Sequence, residues 1–160
     1  NEVVALSQGL PHYSHLLSLH AAISAVERGR TMVRKGDLDI GLKKAIDSAS
    51  QSVRQRYHGA TFSNRETLYK VVLLACALSP KDEMGSFAAP DVREQLRRIT
   101  HNSYEIPAFA AHLKDFSSTG TRGGLLERIG TTRRFRYRFR DPLMPTYVLM
   151  RGRVEGLHPA

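Results

Sequence analysis

Six arginines, Arg128, Arg133, Arg134, Arg136, Arg138 and Arg140, crowd the stretch before Asp141, with no acid among them. Guanidinium groups held this close repel one another, and a phosphate backbone relieves the repulsion while releasing counterions. From Phe135 to Arg140 aromatic residues and arginines alternate. That period of two predicts a half-buried strand, with Phe135, Tyr137 and Phe139 inward and Arg136, Arg138 and Arg140 outward. Arginine at a hairpin tip can also enter a minor groove. A solvated strand face is the alternative reading of the same residues. Arg122 lies just upstream of the cluster, and Lys114 and His112 lie on the preceding helical segment. The candidate DNA-binding set is therefore Arg122, Arg128, Arg133, Arg134, Arg136, Arg138, Lys114 and His112. That helix otherwise offers Ala108 and Ala111 outward, with Glu105 and Asp115 opposing phosphate. Base readout would call for Arg, Asn or Gln there, so little sequence preference is expected.

Other residue types fail to assemble a catalytic constellation. His12, His15 and His20 are spaced by 3 and then 5 positions. This spacing does not bring them to one helical face, and no cysteine or carboxylate completes a metal set. Ser14, Ser18 and Ser24 lack the glycine elbow and acid partner of a nucleophile. The carboxylates Glu27 and Asp37, and Asp82 and Glu83, read as exposed caps and turns. The single cysteine, Cys76, lies within the apolar run Val71–Leu78. It has no partner for an internal disulfide, and a buried thiol in a reducing, cytoplasmic setting is expected. No catalytic residue, metal site or cofactor is expected in this chain.

A length of 160 residues with 41% hydrophobic and 24% charged composition suits a globular domain with an appendage. The apolar runs fall far short of the roughly 20 residues that a membrane helix needs. The net charge of +9 favours partners rich in phosphate. Helical periodicity runs over Leu10–Glu27, with Leu16, Leu19, Ile23 and Val26 expected inward, and over Asp37–Tyr57, with Leu42, Ile46 and Val53 inward. The polar stretch His58–Arg65 marks a boundary. Beyond it come helices over Glu66–Leu78, Asp91–Thr100 and Ser103–Ser117, the last with Ile106, Phe109, Ala110, Leu113 and Phe116 inward. Phe87 begins a short strand, Leu125–Ile129 and Phe135–Arg140 form a hairpin about Gly130-Thr131-Thr132, and Met144–Leu157 returns to helix. The expected fold is mainly α with a small β-hairpin, divided into residues 1–60 and 65–160. The helix, strand, helix, helix, strand, strand order of the second part is that of a winged helix.

The segments Leu68–Ala77, Gly85-x-Phe87, Asp91-Val92-Arg93 and Phe135–Val148 resemble the C-terminal winged-helix domain of AAA+ ATPases related to origin-recognition initiators. The front segment, from Gly9-Leu10-Pro11-His12-Tyr13 onward, is similar to the helical lid of that family. The resemblance implies a parent ATPase that uses ATP and Mg²⁺. It places His12 where such lids often carry a sensor arginine. The sequence contains no Gly-x-x-x-x-Gly-Lys-Ser/Thr loop, so ATP hydrolysis is not expected of this chain. Opening on Asn1 rather than methionine, it reads as part of a longer protein whose ATPase core lies upstream. Two helices cannot close a core alone, so the front segment is expected to leave apolar surface for that core or for self-association. Double-stranded DNA is the expected partner of the wing. A regulatory protein contact is the alternative.

Overall fold

The computed structural model describes residues 2–65 and 67–158. Among them are eight helices: α1 (Glu2–Ser7), α2 (Pro11–Glu27), α3 (Lys35–Asp47), α4 (Gln51–Thr61), α5 (Tyr69–Leu78), α6 (Ala89–Thr100), α7 (Ile106–Ser117) and α8 (Met144–Val154). Three short strands, β1 (Ser86–Ala88), β2 (Leu126–Ile129) and β3 (Arg136–Phe139), form one antiparallel sheet in the order β1-β3-β2. No helix among the described residues is long and apolar enough to cross a membrane.

Two helices expected as one are separate. Asp37–Tyr57 is broken at residues 48–50, where the Ser50 side chain accepts a hydrogen bond from the Val53 N–H and caps α4. A serine hydroxyl competes with the helical backbone in an interior and serves it at an N-cap, so Ser50 starts a new helix. The new helix then runs through His58 to Thr61, turning part of the expected polar boundary into helix; the loop begins at Phe62. Glu66, the expected start of α5, lies outside the described residues.

The buried face of α2 also differs from expectation. Tyr13, Leu17, Ala21 and Ala25 are buried, whereas Leu19, Ile23 and Val26 are exposed. The reason is the close crossing with α3. A Cβ at Gly41 would stand 3.0 Å from the Leu17 carbonyl oxygen and 3.2 Å from the Ala21 nitrogen. Gly41, having no Cβ, lets the α3 backbone approach α2 closely on the side of Leu17 and Ala21, and the stripe Leu19, Ile23 and Val26 is turned away. Asp37 caps α3 but is fully buried rather than exposed as expected: its carboxylate ties the connection between these helices, accepting from Arg30 at 2.6 and 2.7 Å, from Ser24 at 2.9 Å and from the Arg34 N–H at 2.8 Å. Those bonds hold its carboxyl well below the usual range.

Leu42, Ile46 and Val53 are buried as expected, though their cover comes partly from α8, which packs on α1, α3, α4 and α5. One continuous core joins Tyr13, Leu17 and Leu42 to Leu73, Leu96, Phe109, Phe116 and Met150. On α7, Phe109, Leu113 and Phe116 point into it, while Ala110 is exposed, contrary to expectation. The sheet closes over the core with Phe87, Tyr137 and Phe139.

Candidate nucleic-acid interface

The alternation in β3 sorts its side chains. Tyr137 and Phe139 are buried, with Phe87 of β1 at 6.2 Å and 6.0 Å from their rings, and Arg136 and Arg138 project from the opposite face. Strand register then decides what those two arginines meet. Glu127 lies directly across from Arg138 and forms an ion pair and hydrogen bond with it. Arg136 stands 3.3 Å from Asp82, and its guanidinium donates to the Ser86 hydroxyl at 2.8 Å and the Ser86 carbonyl at 3.0 Å. Although no acid separates Arg128 from Asp141 along the chain, acids from β2 and from the turn before β1 neutralise two of the cluster.

The arginines left over gather at the hairpin tip. Arg133 and Arg134 are exposed in the loop between β2 and β3, with no side-chain partner among the described residues. The loop is tight: Gly130 has φ +99°, and a Cβ there would lie 2.6 Å from the Arg134 carbonyl oxygen. This backbone conformation suits glycine and no β-branched or bulky residue. Arg128 stacks its guanidinium over the Phe135 ring, 4.1 Å from the centroid, which holds the cation at the base of the tip without consuming its charge.

Beside the hairpin, a groove of about 460 Å³ is lined by Lys114, Ser117, Ser118, Glu127, Arg128 and Arg140. Arg140, absent from the candidate set, belongs to this group; its guanidinium donates to the Leu126 carbonyl at 3.2 Å. Lys114 is exposed at the C-terminal end of α7.

The remaining candidates are held within the fold. Arg122 donates to the Ala60 carbonyl at 2.8 Å and lies over the Tyr69 ring at 3.9 Å, linking the loop after α7 to α4 and α5. His112 packs 4.5 Å from the same ring. Burial lowers its pKa, against the opposing pull of Asp115. The Tyr69 hydroxyl donates to Asp115 at 2.5 Å, so that carboxylate is also engaged. What α7 offers to solvent is therefore Pro107, Ala108, Ala110, Ala111 and Lys114. His12 is exposed on the first turn of α2, edge-on to Tyr13 at 5.3 Å. Among the described residues no three His, Cys, Asp or Glu side chains form a metal-binding group.

Compared with protein-family models, with curated proteins and with solved structures, the chain matches none of them.

Proposed function

We propose that the portion from α5 to α8 is a winged helix that binds double-stranded DNA, chiefly through its wing and with little sequence preference. The order of elements, with β3 central between β1 and β2, supports the winged-helix reading. The observation that carries the DNA reading is the hairpin tip, where Arg133 and Arg134 stand exposed without an acid partner. Arg128 stands at the base of the tip, and Lys114 and Arg140 extend the positive charge along the adjoining groove. Guanidinium and ammonium groups spaced in this way follow a phosphate backbone without the geometry that base recognition requires. The small side chains on the exposed side of α7 agree with weak base readout.

In the wider proposal this module and the helices before it are the C-terminal part of an AAA+ ATPase of the origin-recognition type, working in the cytoplasm. The ATP- and Mg²⁺-binding core would belong to the upstream part of that protein. The test of the DNA reading is a titration of this chain with unrelated duplexes at two salt concentrations. Similar affinities that fall steeply with salt are expected; no binding at low salt would refute the reading. A second reading, a protein-contact arm, draws on the exposed stripe Leu19, Ile23 and Val26 of α2 and on the in-house pairing of Arg136 and Arg138. It predicts concentration-dependent self-association or binding to the ATPase core, with no salt-dependent DNA affinity.

A further inference from the structure

A cavity of about 350 Å³ opens where α4, α5 and α8 meet, and it takes no residue from the hairpin. Arg54 of α4, Lys70 of α5 and Arg151 of α8 line it. Among the described residues Glu155 pairs with two of these cations, accepting from Lys70 at 2.9 Å and from Arg151 at 2.7 Å. Arg54 has no ion-pair partner among the described residues. The Arg151 guanidinium lies over the Tyr57 ring, 5.4 Å from its centroid, which fixes it at the cavity wall beside Glu155. Two further cations, the exposed Arg54 and the partly exposed Lys70, stand with it around one opening, an arrangement that suits an anion.

The same cavity has an aromatic side. His58 and Phe62 stack at 4.9 Å with their planes 30° apart, and Phe62 is 54% exposed although it is a large apolar ring. Tyr57 and Tyr147, which also line the cavity, meet edge to face at 5.4 Å. A flat hydrophobic platform beside a cluster of cations is the arrangement that takes a base on its π-face and the attached phosphate on guanidinium and ammonium groups. The volume lies in the range of small-molecule pockets.

We propose that this cavity binds a nucleotide, with the base stacked on Phe62 and the phosphate held by Arg54, Lys70 and Arg151. The nucleotide is either free or part of a single strand. The site is separate from the wing, so it stands or falls independently of the DNA reading. Because its walls come from α4, α5 and α8, an occupied site ties the front helices to the rest of the chain.

The test is calorimetric titration of the whole chain carrying Arg133→Ala and Arg134→Ala, which removes the wing's contribution, with ADP, pyrophosphate and a short oligoadenylate as probes. Arg54 and Phe62 are exposed, so Arg54→Ala and Phe62→Ala should leave the fold intact, as circular dichroism will verify. Arg54→Ala is expected to weaken ADP and pyrophosphate alike, about tenfold. Phe62→Ala is expected to weaken ADP about tenfold and to leave pyrophosphate unchanged. Oligoadenylate binding tighter than ADP, with the same dependence on Arg54 and Phe62, assigns the ligand to a single strand; the reverse order assigns it to the free nucleotide. The proposal is overturned if neither ADP nor oligoadenylate binds, or if their binding ignores Arg54→Ala or Phe62→Ala.

Discussion

Replacing Arg133 and Arg134 together with alanine should flatten the salt dependence of DNA binding, whereas replacing Arg136 or Arg138 should not. The difference follows from pairing. Arg133 and Arg134 have no acid to leave when they meet a phosphate, while Arg136 is engaged by Asp82 and Ser86, and Arg138 by Glu127. Each duplex phosphate contact contributes about −0.9 to the slope of log affinity against log salt. Losing two contacts makes the slope shallower by about 1.8. Between about 50 and 200 mM salt, a fourfold change, the affinity penalty of the double variant should shrink by roughly twelvefold. Fluorescence anisotropy on two unrelated duplexes across that range measures both slope and sequence preference. The penalty should be alike on the two duplexes, since phosphates carry no sequence information directly. An unchanged slope in the double variant, or an equal flattening by Arg138→Ala, would refute the assignment of the contact to the tip and favour the protein-contact reading.

Arg122→Ala should destabilise the fold by about 2 kcal/mol, from loss of its charged hydrogen bond to Ala60 and its stacking on Tyr69, and should leave the salt slope unchanged; urea unfolding measures the loss. Asp37 is held below its ordinary pKa first by Arg30 and next by the Arg34 N–H. Its contribution to stability is therefore complete above the ordinary aspartate value near pH 3.9 and is lost as pH falls below it. Asp37→Asn should lower stability at neutral pH and give a flatter loss between about pH 4 and 2 in thermal melts followed by circular dichroism. Burial pushes the Cys76 thiol up to about 12, so a thiol-specific reagent should leave it unmodified at neutral pH until denaturant unfolds the chain; rapid modification of the native protein would contradict its burial.

Features that depend on neighbours along the chain were legible in the order of residues alone. The period of two from Phe135 to Phe139 placed the aromatics inward, because successive strand residues point to opposite faces. The dense apolar run of α5 marked a helix, and Cys76 within it was legible as buried. The charge surplus and the arginine-rich hairpin were visible for the same reason. Features that require two distant segments to meet emerged only from packing. In α2 the residues expected inward, Leu19, Ile23 and Val26, are exposed, because the crossing of Gly41 over Leu17 and Ala21 buries a different side of the helix. Which arginines remained unpaired depended on a register that set Glu127 opposite Arg138 and on a turn that brought Asp82 to Arg136. Arg54, Lys70 and Arg151 are scattered over the sequence and carry no shared motif, so only the packing of α4, α5 and α8 brought them around one cavity. Periodicity is a short-range property of the backbone, whereas charge neutralisation and cavity lining depend on distances between residues that the chain separates widely.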